Sequence, residues 1–262
     1  MDTKAILMRT SLLWALIISL SQPALSWAEH LHLVTGDGYA PFTGQTLPGG
    51  GILSQVVQAA LRQRQVSSEL DWRPWNRGLL MTLNGAYDAT FPYVRSVELD
   101  KDYHYSEPLL VVRQHIFSRA DEEYEVDDLP ALAGKKLCYP LGWQLPVAIQ
   151  GMVEQGLLTR HAPVGLNECA RLLLLKRDDF FIANGPLGEV ALSFTERSSA
   201  EFRRSQSAFA ETSLHVLVPR RHPHAHRVLQ RFNEGLALLR EGNEYQRLLG
   251  RYLQQRDEQA SR

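Results

Sequence analysis

Hydrophobic and polar residues follow two different periods along this chain, and the periods alternate. Positions 52–61 carry apolar side chains at the spacing of one helix face. Leu70 and Trp72 are separated by one polar residue, as on a strand. A short amphipathic helix then ends at Gly85, and a strand follows through Phe91. This order of strand and helix predicts an α/β fold with a mostly parallel sheet.

A second series of the same kind follows an extended apolar run at 109–117. Its predicted elements are a strand at 136–139, helices at 146–154 and 167–176, and a strand at 180–183. Another extended run at 213–219 leads into two C-terminal helices, at about 225–240 and 244–253.

Two α/β series joined by two extended crossings predict two lobes with a hinge. We assign residues 29–112 and 216–262 to lobe one and residues 113–215 to lobe two. Ligands of such folds bind at the carboxyl ends of the strands and between lobes, so we expect a central cleft.

The N-terminus predicts export. Lys4 and Arg9 precede an apolar run at 12–20, and Ser26-Trp27-Ala28 offers small residues for cleavage. We therefore expect a signal peptide at 1–28, cleavage after Ala28 and a periplasmic protein. The apolar run is too short to cross a membrane.

With 28 basic and 29 acidic side chains the charge is balanced. We therefore expect neither nucleic acid nor an anionic membrane as a partner. We also expect the protein to be a monomer.

Cys138 and Cys169 are the two cysteines of the chain. Export makes a disulfide plausible, and the predicted strand and helix that carry them can be neighbours in an α/β lobe. The alternative is a pair of buried free thiols. Two isolated cysteines lack the paired spacing of a zinc site.

Catalytic and metal-binding motifs are not found in the sequence. There is no G-x-S-x-G, no H-E-x-x-H and no P-loop, so we expect no enzyme activity and no cofactor. The alternating histidines His222, His224 and His226 surround Pro223, which is typical of the first residue of a helix. His30 and His32 lie near the expected mature start. We read both groups as solvated and predict no metal site.

Six segments carry a resemblance in their order and spacing. They are Tyr39-Ala40-Pro41-Phe42, residues 74–108 with their Tyr-Ser-Glu-Pro corner, residues 129–136, residues 140–143, residues 177–179 and residues 231–236. Together they resemble the extracellular solute-binding proteins of family 3, the receptors of polar amino acid ABC importers. The segments Pro74-Trp75-Asn76-Arg77 and 91–96 are closer to a divergent branch of that family. The resemblance implies a type II periplasmic-binding-protein fold that closes on its ligand like a hinged clamp.

The family's two charged ligand contacts are missing here. The family grips the carboxylate of an α-amino acid with an arginine and its ammonium group with a carboxylate. This chain has Leu99 and Asn184 at those positions. A buried zwitterion without counter-charges would cost several kcal/mol. We therefore expect that the chain does not bind α-amino acids in the usual pose.

The resemblance and the side-chain chemistry nominate other ligand contacts. Tyr39 and Phe42 offer rings from the first loop, and Trp75, Tyr93 and Trp143 add ring surface. The polar candidates are Arg77, Arg95, Ser96 and Asn184. For each of these residues the alternative is core packing or an exposed surface position.

The expected function is therefore a periplasmic receptor for a small polar or aromatic-bearing molecule. Its partner would be an ABC permease. The alternative is a non-transport binding module that acts on a membrane sensor. A dehydratase-like enzyme is a remote third reading. The enzyme branch of this fold uses a carboxylate substrate, and the arginine that would hold a carboxylate is missing here.

Overall fold

The computed structural model describes residues 30–250 of the chain. The predicted signal peptide and its cleavage after Ala28 lie outside the described residues. Within them, no helix is long and apolar enough to cross a bilayer.

Strands and helices alternate as the hydrophobic pattern predicts. The strands are β1 His30–Thr35, β2 Ser67–Trp72, β3 Ala89–Val94, β4 Tyr103–Tyr105, β5 Leu110–Val112, β6 Gln114–Arg119, β7 Lys136–Cys138, β8 Thr159–His161, β9 Phe180–Asn184, β10 Phe202–Arg204 and β11 Thr212–Pro219. The α-helices are α1 Ile52–Gln63, α2 Trp75–Leu83, α3 Val97–Asp100, α4 Val147–Glu154, α5 Leu166–Leu174, α6 Gly185–Ser193 and α7 Ala225–Glu241. Helical residues also cover 244–250. The 3₁₀ turns are Pro48–Gly50, Val126–Leu132 and Ser199–Glu201.

The strands form two separate sheets. The first has the order β2-β1-β3-β11-β4, with β5 paired to β11, and the second has the order β10-β6-β9-β7-β8. Pairing is parallel among β1, β2 and β3 and among β7, β8 and β9, whereas β11, β6 and β10 pair antiparallel to their neighbours. The α/β two-lobe prediction is confirmed, and the sheets are mixed rather than mostly parallel.

The chain passes between the sheets twice. The apolar run at 109–117 is divided at Arg113, so that β5 belongs to the first sheet and β6 to the second. The return leads from β10 to β11, and all of β11 lies in the first sheet. Arg113 and Glu211 form an exposed ion pair at 2.7 Å that links the two crossings. The lobe boundaries at 112/113 and 215/216 stay a prediction.

Two helices cover the first sheet and touch each other closely. Helix α1 buries its apolar face, including Leu53, Val56 and Val57, because those residues recur at helical spacing. Helix α7 packs against it through Gly235, where a β-carbon would lie 2.0 Å from the carbonyl oxygen of Ala60. The two helices therefore pack with their backbones in close approach at Gly235.

Candidate ligand-binding site

Two loops meet between the sheets, one from each. The loop after β1 carries Tyr39, and the loop after β7 carries Trp143. Their ring centroids are 4.7 Å apart and the ring planes are nearly perpendicular, at 89°. Edge-to-face contact is a preferred geometry for aromatic pairs. This contact joins the lobes across the cleft.

Trp75 stands on the lobe-one side of the cleft, at the first residue of α2. Its indole Nε1 donates to the carbonyl of Asp37 at 3.1 Å, and its own carbonyl accepts from the Tyr93 hydroxyl at 3.1 Å. Gly36 makes room for the ring, since a β-carbon there would lie 2.1 Å from it. Trp75 is thus held by the loop after β1 and by strand β3.

Tyr139 forms the facing wall in lobe two. Its hydroxyl accepts from Gln114 Nε2 at 3.3 Å and donates to the Gln144 carbonyl at 2.9 Å. Burial raises the pKa of Tyr139 to about 12, and burial also raises the pKa of Tyr93 well above its usual value. A tyrosine is already neutral near pH 7, and the raised pKa keeps both side chains as hydroxyls into the alkaline range as well.

The loop that follows Tyr139 is supported from behind. The Arg160 guanidinium donates to the carbonyls of Tyr139 at 3.3 Å and Pro140 at 2.7 Å. Cys138, one residue before Tyr139, forms a disulfide with Cys169 on α5, with a Cα–Cα distance of 5.4 Å. The disulfide predicted from the sequence is confirmed, and it anchors the strand end from which the loop starts.

The cavity that these residues line is small, and its lining has no ionised side chain. Its volume is ≈ 50 Å³. A single water needs about 10–15 Å³ by a comparable measure, so the closed cleft holds only a few small groups. The lining residues are Tyr39, Trp75, Pro92, Tyr93, Val94, Gln114, Tyr139, Gly142, Trp143, Gln144, Leu187 and Leu214.

A wider groove lies on the other side of Trp75. Its volume is ≈ 540 Å³, and it is lined by both lobes. Charged side chains occur here, namely Asp37, Arg73 and Glu168. Asp37 accepts from the amides of Gly38 and Gln45, and Arg73 pairs with Asp71, so two of these charges already have partners.

Four of the nominated ligand contacts line the cavity. They are Tyr39, Trp75, Tyr93 and Trp143. Phe42 and Asn184 lie instead at a separate cavity beside the crossings, with Arg113 and Glu211. Phe42 is 1% exposed and packs in the core, and the Asn184 side chain accepts from the Leu187 amide as the N-cap of α6.

The remaining nominated residues have surface or capping positions. Arg95 is exposed, lies 3.5 Å from Asp100 and stacks over the Tyr105 ring at 4.8 Å. The Ser96 hydroxyl accepts from the Leu99 amide at the start of α3. Arg77 is exposed on α2. A ligand role for these residues stays a prediction.

Leu99 is buried beneath the cleft. It is 6% exposed and packs in a cluster with Trp75, Tyr93 and Tyr103. An apolar residue suits this position because the cluster consists of aromatic rings and other leucine side chains. The Leu99 side chain thus packs behind Trp75 and Tyr93 of the cleft wall.

Sequence reasoning missed Gln114, Tyr139 and Gln144 as lining residues. Gln114 is a polar residue inside the apolar run at 109–117, and it is the first residue of β6, directly after the crossing. A polar residue at the start of a strand that directly follows a crossing was the signal that could have identified Gln114 as a lining residue. Tyr139 and Gln144 flank the 140–143 segment on which the resemblance rests, so the segment was recognised but its neighbours were not.

Closure of the cleft depends on Gly142. Its φ is +83°, and an added β-carbon would lie 2.8 Å from Trp75 Cβ and 2.9 Å from Asn76 Oδ1. We expect Gly142→Ala to wedge the lobes apart and raise the radius of gyration measured by small-angle X-ray scattering. Gly134→Ala is the matched control, because Gly134 has a similar φ of +79° but open space around it. Equal scattering curves for the two variants would contradict a closing contact at Gly142.

Known structures share this two-lobe architecture. No protein-family model and no curated protein matches the sequence. A histidine kinase sensor domain similar to periplasmic binding proteins superposes with a TM-score of 0.73 at 19% identity, covering 86% of this chain and 97% of that one. The GluR0 ligand-binding core of Nostoc punctiforme, bound to L-glutamate, gives 0.69 at 18% identity, with 85% and 98% covered. The substrate-binding protein of an amino acid ABC transporter gives 0.69 at 15% identity, with 86% and 99% covered.

The fold is therefore that of the two-lobe periplasmic binding proteins, with the candidate cleft between the lobes. Each of these three structures is of a binding or sensor domain. At such low identities the likeness establishes the architecture, and the ligand has to be argued from the residues of this chain.

Proposed function

We propose that this protein is a periplasmic receptor that closes on a small, uncharged, aromatic or heterocyclic molecule. The observation that supports this best is the lining of the cleft, which contains five aromatic rings and no Asp, Glu, Lys, Arg or His side chain. Aromatic faces recognise flat apolar surface, and a few placed polar groups fix its orientation.

Neutral side chains would make the hydrogen bonds to the ligand. The Gln114 amide both donates and accepts, and the Tyr139 hydroxyl does the same. A ligand with one or two hydrogen-bonding groups would compete for the bond between these two side chains. A carboxylate or ammonium group would enter without a counter-charge, which costs several kcal/mol in a buried site.

Ligand entry requires the lobes to separate, since the closed cavity of ≈ 50 Å³ is smaller than the roughly 300–1,000 Å³ of typical ligand sites. Opening would break the contact between Tyr39 and Trp143 and the approach of Gly142 to Trp75. A ligand that replaces these ring contacts would stabilise a closed form, the usual device of two-lobe receptors.

The partner we favour is an ABC permease, to which the closed receptor would deliver its ligand. A sensor role is the second candidate, because the likeness to a histidine kinase sensor domain is as extensive as the likeness to a transporter receptor. Deletion of the gene should abolish uptake of the ligand under the first role. Under the sensor role, deletion of the gene should abolish a transcriptional response to the ligand but not its uptake.

Ligand screening tests the proposed class. We expect neutral aromatic or heterocyclic compounds to raise the melting temperature by mass action, and Trp143→Ala to weaken binding at least about tenfold, as loss of a buried aromatic anchor does. Phe194→Ala is the matched control, since Phe194 is 50% exposed and outside the cleft. Micromolar or tighter calorimetric binding of a standard α-amino acid would overturn the ligand class. No stabilisation by any class of compound would overturn the receptor role.

A further inference from the structure

Two exposed histidines and a glutamate meet at the start of the first sheet. His30 and His32 are two residues apart on β1, so their side chains point to the same face. The parallel register pairs them with Ser67 and Glu69 on β2. The four side chains therefore form one group on the surface of lobe one. The two residues on β1 are 35 or more positions away from the two residues on β2 in the sequence.

Glu69 bridges the two imidazoles. Its Oε1 lies 2.6 Å from His32 Nδ1, and its Oε2 lies 3.8 Å from His30 Nε2. The other ring nitrogen of His30, Nδ1, is 2.9 Å from the Ser67 hydroxyl. If that nitrogen carries the proton, the lone pair of Nε2 faces Glu69. The bond to Ser67 fixes the orientation of the His30 ring, which is what the outer hydrogen-bond partners of metal-ligating histidines do.

We propose that His30, His32 and Glu69 bind a divalent transition metal ion, Zn²⁺ or Cu²⁺. Imidazole and carboxylate donors suit both ions. One donor atom from each residue lies within 4.8 Å of the others. Tetrahedral zinc at about 2.1 Å from each donor needs about 3.4 Å between donors. The three side chains are 46–59% exposed, so small rotations can bring them to that spacing.

No other group in residues 30–250 brings together three such donors from His, Cys, Asp or Glu. His104 and His226 are also in ring contact, at 4.8 Å between centroids and tilted by 45°, yet Arg220 donates toward the His104 ring and its positive charge disfavours a cation there. The sequence predicted no metal site because His30 and His32 were weighed without Glu69, which only strand pairing brings beside them.

The proposed metal site is remote from the ligand cleft. It lies at the first residues of β1, whereas the cleft loop follows the last residue, Thr35. Five residues of strand separate these ends by about 16 Å. A bound metal would therefore leave the cleft accessible, and it would tie β1 to the edge strand β2.

Calorimetric titration of untagged, chelator-treated protein with Zn²⁺ and with Cu²⁺ tests the proposal. We expect one ion per chain, and at least about tenfold weaker binding in Glu69→Gln and in His32→Ala, since each removes a donor. Ser67→Ala should weaken binding less than either. Circular dichroism should show unchanged folding, because all three side chains are exposed.

His226→Ala is the matched control, because His226 is an exposed histidine in contact with a second histidine, His104, and belongs to no three-donor group within residues 30–250. It should bind metal as the unmodified protein does. The proposal is overturned if the unmodified protein binds neither ion, if Glu69→Gln binds as tightly as the unmodified protein, or if His226→Ala removes the binding. Each of these results leaves the proposed receptor role unaffected, since ligand screening reads out the cleft.

Discussion

Replacing both Cys138 and Cys169 with alanine should lower the free energy of unfolding by about 3–4 kcal/mol, measured by guanidinium denaturation. The disulfide closes a loop across a sequence separation of 31 residues. Cross-linking a loop of that size restricts the unfolded chain by about this amount. Both cysteines are fully buried, so loss of packing around the removed sulfurs would add to the effect.

The disulfide should also affect the cleft. Cys138 directly precedes the loop with Tyr139 and Trp143, and the Arg160 guanidinium bonds the first two carbonyls of that loop. Reductant should therefore destabilise the unmodified protein and leave the double variant unchanged. Two freely titratable thiols in native protein, or equal denaturation midpoints with and without reductant, would contradict the prediction.

Gly235→Ala should destabilise lobe one by about 2–3 kcal/mol or more. The new methyl group would lie 2.0 Å from the Ala60 carbonyl oxygen and 2.8 Å from its carbon, both of them backbone atoms of α1. Backbone cannot rotate aside as a flexible side chain can, so helices α1 and α7 must separate. The gain of about 1 kcal/mol that alanine normally brings to a helix interior is smaller than this cost.

Gly151→Ala is the matched control for Gly235→Ala. Gly151 also lies inside a helix, α4, but its nearest contact would be the flexible end of Gln155 at 3.8 Å. We expect this variant to be unchanged or slightly stabilised in thermal denaturation. If both variants lose stability equally, the close contact of Gly235 with Ala60 would not be the cause of the loss.

Periodicity predicted most elements because buried faces of helices and strands require it. The helix pattern at 52–61 corresponds to α1, and the strand predicted at 180–183 corresponds to β9. Short elements were harder to predict. The sequence analysis placed no helix between the strand through Phe91 and the Tyr-Ser-Glu-Pro corner, yet Val97–Asp100 is helical and is capped by Ser96. A four-residue helix carries too few apolar positions to show a period.

Local sequence segments predicted part of the candidate site, and contacts between distant segments define the rest. Tyr39, Trp75, Tyr93 and Trp143 were nominated from local segments, and all four line the cleft. Gln114 and Tyr139 were not nominated, since their hydrogen bond joins residues 25 apart in sequence. Asn184 was nominated by spacing, but its amide is engaged as a helix cap. Sequence spacing gives the position of a residue along the chain, but it does not show which group its side chain bonds.

The sequence by itself determined the alternation of strand and helix, the two-series organisation, the cysteine pair and the absence of an arginine at Leu99. These are local properties, because each depends on side-chain type and on periods of two or 3.6 residues. Only the tertiary structure decided which rings face each other across the cleft, that Leu99 supports its wall, and that Glu69 stands between His30 and His32. Those relations arise from strand register and from the crossings between sheets, which bring distant segments into contact through burial that no local pattern encodes.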